Sequence, residues 1–412
     1  MKKTFLGLLA IVTVSMNTWA FDPKSSDYVN PIITAMPALT IAPDAHAAGM
    51  GDIGAATTPD MNSQFWNAAK YAFIEDKGGI SASYTPWLRK LVNDIDLAYL
   101  TGFYRFDDKQ AISASFTYFT MGKVSLVNYD IKSQIDGTIT EDMVYAEAKP
   151  NEWSIDVAYS RKLHEYVSMA ATLRFMYSDL NNGINYSGTG ESKEMYPAWT
   201  MAADIALYYK QPIELPMGTS YFNLGFNLQN LGGKISYTED IQNFIPATMR
   251  LGVGYDLPFD NYNRLTFNVE ASKLMVPSRK SRFTEGFDPD DSNTWTMSQD
   301  AYSKLTSVKG IFQSFADAPG GAAEEFKEVN WGIGLEYTYN HQFFARVGYN
   351  HEDFSKGNRR YVTVGAGFHL SIVVFDFAYC IATAASNPLD QTMRFSLGFD
   401  LAGIKDLVNN RK

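Results

Sequence analysis

Apolar and polar residues take turns along this chain in run after run, and that period of two limits what it can fold into more than any motif does. In "EWSIDVAYSRKL", Trp153, Ile155, Val157 and Tyr159 fall on one face and Ser154, Asp156 and Ser160 on the other. "RLTFNVEAS" separates Leu265, Phe267 and Val269 from Thr266, Asn268 and Glu270, and "QTMRFSLGFD" sets Met393, Phe395, Leu397 and Phe399 against Arg394, Ser396, Gly398 and Asp400. Successive side chains of a β-strand point to opposite faces, so each run reads as a strand with one apolar and one polar side. Each is close to the roughly 9 to 11 residues with which a tilted strand crosses a bilayer. Such runs begin near residues 80, 96, 110, 152, 167, 198, 221, 248, 264, 329, 342, 361, 371 and 391. This predicts an all-β protein, a 14-stranded antiparallel transmembrane β-barrel, with the even strand number of bacterial outer-membrane barrels.

The connections agree with a barrel. Short ones fall near residues 107, 163, 210, 257 and 339, and long ones span 123–151, 181–197, 234–247 and 276–327 in alternation with them. Short turns face the periplasm and long loops face outward, so both chain ends are expected on the periplasmic side. Met1 to Ala20 reads as a cleaved signal peptide, with Lys2 and Lys3 ahead of an apolar run and Thr18-Trp19-Ala20 as the cleavage site. No later segment is long and apolar enough for a membrane helix, while 25 Tyr and 27 Phe with only 19% charged residues suit a lipid-facing barrel. The net charge of −10 argues against a nucleic-acid partner. A single cysteine, Cys380, leaves no internal disulfide and no cysteine-cluster metal site. No cofactor, metal or catalytic residue is expected. The five histidines include no H-E-x-x-H pair, no G-x-S-x-G elbow is present, and the acids beside His351 (Glu352, Asp353) read as ordinary surface charge.

The polar face of the strands carries Asp156, Arg174, Asp204, Arg250, Glu270, Glu336, Arg346, Asp376 and Arg394. These residues could line a path for a charged solute. Mixed signs do not select one ion, and pairing across the lumen would avoid unpaired buried charge. Between the signal and the first strand lies "PDAHAAGMGDIGAATTPDMNSQFWNAAKYAF", glycine-rich and irregular, yet bearing the bulky Met50, Phe65, Trp66 and Tyr71. Glycines at 49, 51 and 54 permit tight turns, and the bulky residues want burial, which suits a plug folded into the barrel mouth; the alternative is a periplasmic loop packed beneath the barrel. The expected organisation is therefore a signal peptide at 1–20, a hatch or plug segment at 21–79, the barrel at 80–401 and a short periplasmic tail at 402–412.

The stretch "AAGMGDIGAATTPDMNSQFWNAA" resembles the hatch signature of FadL-type outer-membrane proteins, with Gly49, Met50, Gly51 and Asn67 as its marks and Asn67-Ala68-Ala69 where that family has Asn-Pro-Ala. The longer stretch from Asn30 to Phe73 is similar to the PorV branch of that superfamily, as is "DAYSKLTSVKGIFQSFADAPGGAAEEFKE" in the longest outward loop. That loop places Leu305, Val308, Ile311, Phe312 and Phe315 at helical spacing, and Pro319-Gly320-Gly321 ends the helix. An apolar stripe there would rest on its own barrel or on a partner. The resemblance implies a non-enzymatic component of type IX protein secretion in the outer membrane. Its implied partners are a large translocon barrel, secreted cargo with a C-terminal β-sandwich signal domain, the surface attachment (sortase) complex and outer-membrane lipid. The alternative is a FadL-type transporter of hydrophobic small molecules, which would want an apolar lumen rather than a charged one.

Overall fold

The computed structural model describes residues 29–127, 144–181, 195–239, 241–384, 387 and 389–401. The signal peptide and the tail at 402–412 lie outside the described residues. Fourteen strands form one closed antiparallel barrel. They are β1 (Gly78–Pro86), β2 (Asp96–Arg105), β3 (Gln110–Thr120), β4 (Asn151–His164), β5 (Val167–Asp179), β6 (Ala198–Leu215) and β7 (Gly218–Gly232). The ring continues through β8 (Thr248–Pro258), β9 (Asn263–Leu274), β10 (Val329–Tyr339), β11 (Phe343–His351), β12 (Tyr361–Leu370), β13 (Val373–Ala382) and β14 (Met393–Asp400). β1 closes the ring against β14, with Ile80 opposite Phe399 and Tyr84 opposite Phe395. Two short hairpins, Val124–Val127 with Val144–Ala148 and Ile235–Ser236 with Gln242–Asn243, stand in the long connections.

Number, order and facing of the strands follow the alternation. Along β4, Ile155, Val157 and Tyr159 are exposed on the outer wall while Ser154, Asp156 and Ser160 are buried inside. The outer wall is the lipid-facing surface of an outer-membrane protein, and exposed Trp199, Leu173 and Leu251 belong to it. One boundary differs. The stretch expected as a turn near 210 is strand, because β6 runs on to Leu215 and pairs Pro212 with Tyr221, leaving only residues 216 and 217 to turn. That extension is half-exposed on both faces, so no alternation marks it.

Residues 38–74 lie inside the ring. The segment reaches every strand: Met61 packs on β1 and β14, Tyr71 and Phe65 on β2, and Gln64 bonds Ser113 of β3. A 3-10 turn at Ala68–Phe73 packs on β4, and Ala69 accepts from Ser168 of β5. The remaining strands are met between Ala45 and Asn67. Only a segment within a closed ring can touch all of it.

The direction of this segment is unexpected. Asn30 donates its backbone N–H to Ser355 and its side chain to Ser278 and Glu324. Ser355 and Ser278 belong to the long β11–β12 and β9–β10 connections, so the described chain starts at the mouth opposite the short turns. It passes Met36 and Leu39, which pack on the ends of β5 and β6, crosses the lumen, and joins β1 at the turn side. At residue 29 the described chain is thus at the mouth opposite the short turns, not beside them as the start of β1 is. Irregular backbone carries no sequence signal for which end of a barrel it starts from.

Candidate functional site: a filled lumen and an apolar surface loop

The plug rests on a floor of inward-facing glycines. Gly225 (β7), Gly252 and Gly254 (β8), Gly332 and Gly334 (β10), Gly348 (β11) and Gly365 (β12) all meet the backbone or short side chains of residues 49–56. A methyl group on Gly225 would collide with the carbonyl oxygen of Ala55, and one on Gly348 with the backbone of Met50 and Gly51. Glycine is required here for close approach of two backbones. Gly51 itself has φ +83, and its N–H donates to Thr363 Oγ1 at 2.9 Å.

Charge holds the plug at both ends of this floor. Glu270 Oε2 accepts from the N–H groups of Gly54 and Ala55, both at 2.8 Å, while its Oε1 pairs with Arg250 at 3.0 Å. Asp52 faces Arg394 at 3.3 Å and accepts from the Tyr361 hydroxyl at 2.5 Å. His46, in α1 (Ala45–Ala48), lies 3.2 Å from Asp60 and 3.1 Å from Glu336. Lys70 is fully buried and spends its donors on the Gly54 carbonyl, Thr57 and Asp60. Hydrogen bonds to charged groups contribute about 1.5–3 kcal/mol each, so these few anchor an otherwise irregular segment. Asn67, which follows α2 (Ser63–Trp66), accepts from Ala69 N–H and donates to the carbonyls of Ala55 and Leu207. That fixes the corner where a proline is missing.

All nine charged residues expected on the inner face are found there, in opposite-sign contact. Arg174 pairs with Asp156 (2.7 Å) and Asp204 (2.9 Å), Arg346 with Glu336 and Asp376 (each 2.5 Å), Arg250 with Glu270, and Arg394 with Asp52. The pairing reading holds. His46, Asp60 and Lys70 complete the network from the plug, and their spacing in sequence gave no sign of it.

The β9–β10 loop departs from one amphipathic helix. It forms α3 (Gln299–Lys304), α4 (Ser307–Gln313) and α5 (Ala322–Lys327). Leu305 leaves the helix to pack with Phe244, Val276, Met297 and Tyr302, and Thr306 caps a new one by accepting from Lys309 N–H. Of the residues read as a stripe, Leu305 and Ile311 are half-buried, whereas Val308 and Phe312 are 65% and 76% exposed and Phe315 is exposed beneath the Lys273 ammonium. Phe326, 79% exposed, and Phe283 join them, though neither falls in the helical pattern. Lys273 shares the outward face of β9 with Phe267 but is buried, because Glu325 (3.1 Å) and Glu328 (2.5 Å) of the loop close over it. Asp317, Glu325 and Glu328 bring carboxylate oxygens within 4.8 Å of one another. Lys273 and Lys356 already supply that cluster with positive charge, and burial pushes Asp317 up to about 7.

Several cavities flank the plug. One of 160 Å³ opens beneath it between His46, Asp60, Glu336 and His369, and one of 530 Å³ lies at the outer mouth against Ile32, Ile33, Pro37, Trp87, Leu274 and Arg359.

The family model of the type IX secretion system protein PorV matches residues 24–281. The chain belongs to the PorV family. That family is a component of type IX secretion, and the match covers the plug and the barrel through the end of β9. Solved structures similar to this PorV-family chain include the Pseudomonas putida toluene transporter TodX, at 12% identity and TM-score 0.48, covering 90% of this chain and 98% of that one. A Pseudomonas aeruginosa FadL homologue aligns at 11% identity and TM-score 0.41, over 90% and 99% of the two chains. No curated protein matches the chain.

Proposed function

We propose that this PorV-family protein is a non-enzymatic carrier in type IX secretion. It binds the C-terminal β-sandwich signal domain of cargo at the exit of a large translocon barrel and passes it to the surface attachment complex. The observation that carries this reading is the outward loop with Val308, Phe312, Phe315 and Phe326 in solvent, above a lumen occupied by a salt-bridged plug. Exposed aromatic groups in one surface loop mark a protein contact, and buried aromatic anchors dominate such contacts. Phe312→Ser with Phe326→Ser should weaken recovery of translocon and cargo in affinity purification by at least about tenfold, with the barrel still folded. Unchanged recovery would remove this loop from the contact.

The outer cavity of 530 Å³, with Pro31, Ile32, Leu88 and Leu389 in its lining, favours a second reading as a transporter of hydrophobic small molecules. Mass spectrometry of the purified protein separates the two: alkyl or aromatic ligands without translocon would favour transport.

A further inference from the structure

We infer that the N-terminal segment runs through the barrel from the cell-surface mouth to the periplasmic mouth, so that Val29 to Pro37 form part of the outer surface and tie the plug to the β9–β10 loop. The first part follows from topology. The connections at 106–109, 165–166, 216–217, 259–262, 340–342 and 371–372 are short and share one end of the ring with the start of β1 and the end of β14. Outer-membrane barrels turn their short connections to the periplasm. Asn30, Ala35 and Ile32 all contact the opposite end: Asn30 bonds Ser278, Glu324 and Ser355, Ala35 N–H donates to the Phe244 carbonyl at 2.9 Å, and Ile32 packs on the cluster of Phe244, Val276, Met297 and Tyr302.

The same contacts make the strap a structural part of the surface loop. Ile32 sits in the cluster that Leu305 leaves its helix to join, and Asn30 bonds the Glu324 carboxylate that also receives Lys356 at 2.6 Å. Nineteen residues further on, Gly49 meets the glycine floor. A pull on the loop base is therefore transmitted along one continuous chain to the plug, and a displaced plug withdraws a support of the loop. Nothing in this depends on the secretion role.

Single cysteines read out the side of the membrane directly, because the native Cys380 is 2% exposed and contributes little background. Val29→Cys and Ile33→Cys, at positions 51% and 60% exposed, should react with a membrane-impermeant maleimide on intact cells to the level of Asp290→Cys in the long loop. Met217→Cys, in a short turn, should react only after the outer membrane is permeabilised. If the two strap positions follow Met217→Cys, or fail to react at all, the inference is wrong. The tie is read separately: Asn30→Ala should raise trypsin cleavage at Arg282 and Lys304 on intact cells, and cleavage equal to that of the unaltered protein would refute it.

Discussion

Arg174→Met should destabilise the barrel by roughly 3–5 kcal/mol, the loss found when one partner of a buried ion pair is removed. Arg174 alone neutralises two buried carboxylates, since its guanidinium reaches Asp156 at 2.7 Å and Asp204 at 2.9 Å. Asp156 retains only the Ser115 hydroxyl and Asp204 the Asn230 N–H once that charge is gone. Two like charges would then stand on either side of β5, both buried in the inner wall. The triple variant Arg174→Met, Asp156→Asn, Asp204→Asn should recover most of the loss, because the penalty belongs to the unpaired charges and not to the missing pair. Denaturant unfolding in detergent micelles measures both. Equal losses in the single and triple variants would mean that packing of the arginine stem, and not charge, holds this part of the wall.

Gly348→Val should lift residues 50 and 51 of the plug off β11 while leaving the ring intact. Valine is well suited to a strand, so β11 itself tolerates it. Its side chain points into space already filled by the backbone of Met50 and Gly51, and backbone cannot swing aside as a side chain can. Overpacking of a close contact costs about 1–3 kcal/mol or more, comparable to one of the charge-assisted hydrogen bonds that hold the plug. The readout is ion conductance in planar bilayers, which should rise above that of the unaltered protein. Val substituted for Ala345, which faces outward on the same strand, is the control and should change nothing. A closed, silent Gly348→Val protein would mean that the plug can shift along the floor without opening a path.

The barrel was readable because a strand with lipid on one side and a packed lumen on the other must alternate, and Ile155, Asp156 and Val157 record both environments in three letters. The inward charges were readable for the same reason, and so was their pairing, since nine ions of both signs in one lumen have few other ways to be accommodated. The glycine floor was not. Gly225 or Gly348 in a strand has no side chain to mark a face, and its purpose appears only when residues 49–56 are laid against it. His46, Asp60 and Lys70 meet through turns with no fixed period. The loop helix was half readable: the stripe from Leu305 to Phe315 has helical spacing, but Leu305 gains more by filling the gap beside Phe244 and Met297 than by extending the helix. Thr306 then starts the next one.

The ring joins the strand made first to the strand made last, Gly78–Pro86 to Met393–Asp400, around a stretch synthesised before either. Ala45 N–H waits for Ser396 Oγ, 351 residues later in the chain. Thirteen hairpin-linked neighbours can zip in order, but the final seam closes only over the widest possible loop, whose closure carries the largest entropic cost and the slowest search. In the finished ring the last-made strand thus closes around residues made before the first.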